Sequence, residues 1–116
     1  MDKKTLQRFR AALEVRRVEL RRNVSQLEEY GKTKEDEGAA DAIDRAGGSH
    51  FNDMVVRRLA AEHGLLRSVE AALVRIREGT FAECISCGKA INSKRLEAVP
   101  WTRYCIVCQE NLDRRS

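Results

Sequence analysis

Four cysteines fall into two pairs, Cys84-Ile-Ser-Cys87 followed by Gly88, and Cys105-Ile-Val-Cys108. Two residues between thiolates let one tight turn present both sulfurs to one ion, and two such knuckles complete a tetrahedron. Gly88 stands directly after the first pair, where such a turn often calls for positive φ. The pattern predicts a single structural Zn2+ held by Cys84, Cys87, Cys105 and Cys108. Four soft thiolates leave no open coordination position, so the ion holds structure and does not act on a substrate. Apparent binding free energies of order 10–16 kcal/mol at neutral pH are enough to fold a segment with few apolar residues. The competing readings are four ordinary thiols, a redox pair and an iron–sulfur cluster. A redox motif needs only one Cys-x-x-Cys, and two evenly matched knuckles favour zinc.

Elsewhere the residues able to do chemistry are sparse. Asp41-Ala-Ile-Asp44-Arg-Ala46 lies beside Glu35, Asp36 and Glu37, with no basic residue between 35 and 44. Taken alone, two aspartates three apart read as turn or cap residues. No histidine or further ligand is spaced to form a metal site with them. No nucleophile stands with a base, so no catalytic residue is assigned and no enzymatic activity is expected. His50 and His63 are isolated and read as solvated helix residues.

The elements that must position these residues are helical. Of the 116 residues, 42% are hydrophobic, 34% charged and only 5% aromatic, with Pro100 the single proline. Long helices suit such numbers better than a β-sandwich, and a chain with so little core calls for a staple. No stretch approaches the roughly 18 apolar residues of a membrane span, and no apolar run follows the start, so a cytoplasmic protein is expected. In a reducing cytosol paired cysteines are metal ligands more often than disulfides. The formal net charge is +4. Four thiolates on one Zn2+ would lower it to about +2, too little to argue for nucleic-acid binding by itself.

Leu6, Leu13, Leu20 and Leu27 recur every seven residues, with Phe9 and Val24 at neighbouring positions and Arg10, Arg16, Arg17 and Asn23 interrupting the stripe. That is one narrow apolar seam on a charged helix, suited to pairing with one other helix. Asp2 is its candidate N-cap, and Gly31 or Gly38 its candidate end. From about 49 to 78, Val55, Leu59, Leu66, Val69, Leu73 and Ile76 alternate by threes and fours, with Glu62 in one slot. Ser49 or Asn52 is the candidate cap of this helix and Gly79 its C′ glycine. Gly64 falls inside it, at a cost of roughly 1 kcal/mol relative to alanine. The expected fold is mainly α. A long antiparallel helical hairpin (a coiled coil) occupies residues 1–79, with arms of about 40–50 Å and an acidic tip loop at about 31–48. A small four-cysteine zinc finger occupies 80–116 and ends in a short helix from Gln109 to Arg115. The hairpin pairs its two seams internally, so a monomer is expected.

Helix, the tip Asp41-x-x-Asp44-x-Ala46, helix, Gly79-Thr-Phe81-x-x-Cys84-x-x-Cys87-Gly88, Lys94-Arg95-Leu96-Glu97-Ala98 before Pro100, and Cys105-Ile106-x-Cys108 together resemble the DksA/TraR family. The resemblance covers nearly the whole chain, most clearly residues 40–112. It implies a bacterial transcription regulator that binds RNA polymerase and not specific DNA. It implies that the hairpin enters the secondary channel, that the finger end docks on the channel rim, and that Asp41, Asp44 and Ala46 modulate initiation from the tip. An acidic tip on a long arm agrees with interaction with basic groups deep in a channel. Several family members share the alarmone ppGpp with polymerase through basic residues on the second helix and around the finger. Aligned without gaps, those positions are Ser68, Val99 and Gln109, none basic, so a weak ppGpp response or none is expected unless Arg67, Arg75 or Arg103 compensates.

Two other classes compete. Lys89, Lys94, Arg95 and Arg103 lie near Trp101 and Tyr104, as in a nucleic-acid-binding zinc module whose aromatics stack on bases. In an adaptor that only docks, the tip would tolerate substitution.

Overall fold

The computed structural model describes the backbone of residues 1–37 and 42–115 and the side chains of residues 1–31 and 52–115. Four helices follow one another: α1, Lys3–Glu37; α2, Ala42–Glu78; α3, Ser93–Ala98; and α4, Ile106–Arg115. Among the described residues there is no β-strand, only a single antiparallel bridge between Glu83 and Ala90. The mainly α class read from the sequence is the class observed.

Asp2 begins α1 as expected. Its Oδ1 accepts the Thr5 amide at 2.7 Å and its carbonyl accepts the Leu6 amide at 3.0 Å. These bonds satisfy amides that the first turn of a helix leaves without partners. The seam is also where the heptad spacing put it. Phe9, Leu13, Leu20 and Val24 are buried, while Leu6 and Leu27 are half-buried.

The helix limits differ from the expectation. α1 passes through Gly31 to Glu37, and α2 starts at Ala42, so helix occupies much of the segment read as a loop at about 31–48. Ser49 and Asn52, the candidate caps, are interior to α2. One glycine costs a helix only about 1 kcal/mol, and the lysines and glutamates after Gly31 are good helix formers. Glycine is therefore a weaker stop here than its place in the sequence implies. At the other end Gly79 does stop α2, with φ 81°. The Thr80 amide donates to the Arg75 carbonyl (2.9 Å) and the Gly79 amide to the Ile76 carbonyl (3.3 Å), the paired bonds of a Schellman close.

The chain divides into two compact units, Met1–Arg17 with Arg67–Ser116, and Val18–Leu66. In the second unit α1 and α2 pair across His63 Nε2 and Glu28 Oε1, 3.3 Å apart. His63, read from the sequence as isolated, therefore has a partner on the other helix. In the first unit Phe9 of α1 meets Phe81 with ring centroids 5.3 Å apart and planes tilted by 50°. Val69, Ala72, Leu73, Ile91 and Leu96 belong to the same unit's buried apolar set.

Candidate metal centre

The first knuckle is a short turn folded on itself. The Ile91 amide donates to the Ala82 carbonyl (2.7 Å), the Cys84 amide to the Lys89 carbonyl (2.9 Å), and the Gly88 amide to the Cys84 carbonyl (2.9 Å). Gly88 closes the turn at φ 76°, in the left-handed region that the sequence assigned to it. Phe81 and Ile91, both buried, anchor the ends of the turn in the core.

The second knuckle opens a helix. α4 begins at Ile106 and not at Gln109, so Cys108 lies in its first turn. The Cys105 carbonyl accepts the Gln109 amide at 2.9 Å, and Cys105 Sγ accepts the Cys108 amide at 3.5 Å. A thiolate here occupies the place of an N-cap oxygen, where the positive end of the helix dipole favours negative charge. This explains the earlier start of α4: the knuckle is the cap.

α3 is not expected as an element from the sequence, although its residues form part of the family motif. Asn92 caps it, accepting the Lys94 amide at 2.8 Å, and Leu96 is fully buried beneath it. Arg95 on α3 and Arg75 on α2 hold the segment before Cys105. Arg75 Nη2 donates to the Thr102 carbonyl at 3.2 Å. Arg95 Nε donates to the Tyr104 carbonyl at 2.9 Å and its Nη2 to Thr102 Oγ1 at 3.2 Å. Arg75 and Thr102 are both buried. Burial, and then the charge of Arg103, draw the Arg75 pKa down from its usual value. The sequence offers Arg75 only as a cation that could compensate at the ppGpp site; its burial depends on the Thr102 carbonyl, 27 residues away in the chain.

The four Sγ atoms of Cys84, Cys87, Cys105 and Cys108 all lie within 4.8 Å of one another. Cys87 Sγ and Cys105 Sγ are 3.8 Å apart. A disulfide would require about 2.05 Å. A tetrahedron with Zn–S bonds of about 2.3 Å has edges of about 3.8 Å, so the sulfurs stand at metal-site spacing. Their proton chemistry fits the same ion. Burial pushes the Cys84 thiol up, but the amides of Cys105, Cys87 and Ser86 donating to its sulfur outweigh this and bring it down to about 6. Cys108 is pushed up to about 12, first by its hydrogen bond with the Cys105 sulfur and then by burial. Four sulfurs packed this closely repel one another as thiolates, and a cation between them removes that repulsion. The residues present therefore fit one structural zinc.

The other residues singled out from the sequence fall elsewhere. Asp41 lies outside the described residues. Asp44 and Ala46 lie within the backbone of α2, and their side chains are outside the described set. Trp101 and Tyr104 are half-buried, and the Arg103 guanidinium lies 5.4 Å from the centre of the Tyr104 ring. Arg95 is committed to Thr102 and Tyr104, which leaves Lys89, Lys94 and Arg103 as the exposed cations among those named. Ser68, Val99 and Gln109 are each half-buried in the unit that carries the finger, and Gln109 Nε2 donates to Asp113 at 3.1 Å. No helix among the described residues is long and apolar enough to cross a membrane.

Two paired Cys-x-x-Cys knuckles at metal spacing, set between a Schellman-closed helix and a thiolate-capped one, define a C4-type zinc finger. Residues 79–114 match the family model described as the prokaryotic dksA/traR C4-type zinc finger. The RNA polymerase-binding transcription factor DksA of Escherichia coli is 32% identical over 111 residues, covering 94% of this chain and 72% of that protein. The chain belongs to the DksA/TraR family. An uncharacterized protein of Aquifex aeolicus is 46% identical over 55 residues, which span 47% of this chain and 38% of that one. Among solved structures, the transcription factor DksA2 from Pseudomonas aeruginosa is similar with a TM-score of 0.83 at 28% identity, covering 99% of this chain and 88% of that chain. The DnaK suppressor protein from Agrobacterium tumefaciens follows at TM-score 0.61 and 33% identity, covering 90% and 91%.

Proposed function

We propose that this protein is a bacterial transcription regulator that binds RNA polymerase directly, inserts its hairpin tip, residues of about 31–48, into the secondary channel, and modulates initiation. The observation that carries the reading is the 32% identity with the E. coli polymerase-binding factor along 94% of the chain. In this reading Cys84, Cys87, Cys105 and Cys108 ligate the single zinc and fix the finger as a rigid base. Asp41, Asp44 and Ala46 are the working residues of the tip. Five acidic residues between 35 and 44 suit a site lined by basic groups, where charge complementarity steers encounter and fixes register. The protein acts in the cytoplasm as a monomer, recognises no specific DNA sequence and catalyses no reaction of its own.

The response to ppGpp through the shared family site is weak or absent in this reading. Ser68, Val99 and Gln109 bring no cation to it, and of the three arginines that could compensate, Arg75 is buried and bonded to the Thr102 carbonyl. Strong synergy with ppGpp that depends on these three positions in a transcription assay would contradict this part.

The test of the main reading is binding to core RNA polymerase from the same organism, wild type against Asp44→Asn, followed by run-off transcription from a ribosomal RNA promoter. Both proteins should bind, and only wild type should alter transcription. Binding of neither, with the finger intact, would overturn the proposal and leave the nucleic-acid or adaptor reading in front.

A further inference from the structure

The segment that delivers the second knuckle has three consecutive backbone carbonyls, and each is held by a different element. The Thr102 carbonyl takes Arg75 Nη2 from α2, the Arg103 carbonyl takes the Ile85 amide from the first knuckle at 3.0 Å, and the Tyr104 carbonyl takes Arg95 Nε from α3. Thr102 Oγ1 stands at the centre. It accepts Arg95 Nη2 at 3.2 Å, donates to the Tyr104 carbonyl at 3.0 Å and accepts the Tyr104 amide at 3.4 Å. Thr102 is 6% exposed and Arg75 8%, so the bond between them is closed to water, while the bonds of Arg95 are partly buried. Cys105 is the next residue after this segment.

We infer that Thr102 and Arg95 are positioning residues for the zinc, holding the Cys105–Cys108 knuckle in place before the ion arrives. The inference rests on the reading that these cysteines ligate the ion. The physical reason is preorganisation. A knuckle already fixed by hydrogen bonds gives up little conformational freedom on binding metal, whereas a loose one must be ordered at the expense of affinity. The planar guanidinium of Arg95 spans a carbonyl and a hydroxyl at once, which a lysine ammonium does not reproduce.

The test is zinc transfer from the purified full-length protein to the chromogenic chelator 4-(2-pyridylazo)resorcinol, with helicity followed in parallel. Wild type should carry one zinc per chain. Thr102→Val removes the hydroxyl at nearly constant shape and should weaken zinc retention roughly 10-fold, about the cost of ordering one further backbone residue when the ion binds. Thr102→Ser keeps the hydroxyl and should stay close to wild type, and Arg95→Lys should behave like Thr102→Val. Val69→Ala destabilises the buried face of α2 without touching the bracket and should leave zinc retention near wild type. The inference is overturned if Thr102→Val retains zinc like wild type, if Thr102→Ser is as impaired as Thr102→Val, or if Val69→Ala releases zinc equally fast. A wild type that binds no zinc removes the ligation reading itself, a result distinct from these.

Discussion

Cys105 Sγ accepts the backbone amide of Cys108 at 3.5 Å, so the cap of α4 is the sulfur of one half-knuckle bonded to the other half. The helix start and the metal site are one piece of structure. Cys105→Ser keeps a capping oxygen and loses a soft ligand, while Cys105→Ala loses both. Both variants should lose stoichiometric zinc and the chelator-sensitive part of thermal stability. In the metal-free proteins the alanine variant should be the less helical at α4, by about 1 kcal/mol of capping energy. Zinc analysis together with amide exchange across residues 106–115 separates the two effects. Equal protection of α4 in the serine and alanine variants would show that the sulfur is not its cap.

Removing zinc from wild type with a chelator should unfold the finger before the seam. Leu13 and Leu20 are buried on α1 and ligate no ion, whereas Cys84 is itself one of the buried residues of the finger. Leu13→Ala should cost about 2–5 kcal/mol with or without zinc, and Val56→Ala, at a position 63% exposed, should fall within about 0.5 kcal/mol of wild type. Chemical denaturation of both variants in the presence and absence of chelator measures this. A Leu13→Ala effect that vanishes on chelation would mean that the seam depends on the metal.

The seam and the knuckles are legible in the sequence because each is a strict spacing: a leucine at every seventh residue, and two residues between paired cysteines. Gly79 and Gly88 are legible because a helix stop and a knuckle turn both demand positive φ, and both glycines have it. The limits of α1 and α2 near 31–52 are not legible, since Gly31, Ser49 and Asn52 carry stop or start signals that a long helix overrides at about 0.5–1 kcal/mol each. Arg75 and Arg95 are invisible as structural parts. Their role depends on carbonyls of residues 102 and 104, and local propensity carries no information about such partners. α3 has six residues, too few for a periodic pattern, and is fixed by the Asn92 cap and the burial of Leu96.

Gly31 sits inside α1 with nothing within 4 Å of where a Cβ would stand. Alanine there would meet no clash and would restrict the unfolded chain. Gly31→Ala should therefore raise stability by about 0.5–1 kcal/mol, with no loss of zinc. Thermal unfolding at fixed zinc checks the sign. A destabilised variant would imply that the backbone at Gly31 leaves the helical conformation in solution.

Acid should loosen the start of α1 in a way that depends on a single carboxylate. The Asp2 pKa is held below 3.8, first by the hydrogen bond from the Thr5 side chain and then by the Thr5 backbone amide. Because the folded value is the lower one, the cap's contribution is fully present above pH 3.8. It is lost as the pH falls through the folded value. Asn keeps a capping oxygen but does not titrate, so Asp2→Asn should remove this pH dependence and leave the helix start formed at neutral pH. Exchange of the Thr5 amide, followed by NMR from pH 6 down to about pH 2, is the measurement. It should show protection falling in wild type and level in Asp2→Asn once both are referred to the chemical exchange rate. A parallel fall in both would assign the acid sensitivity to other carboxylates and not to the cap.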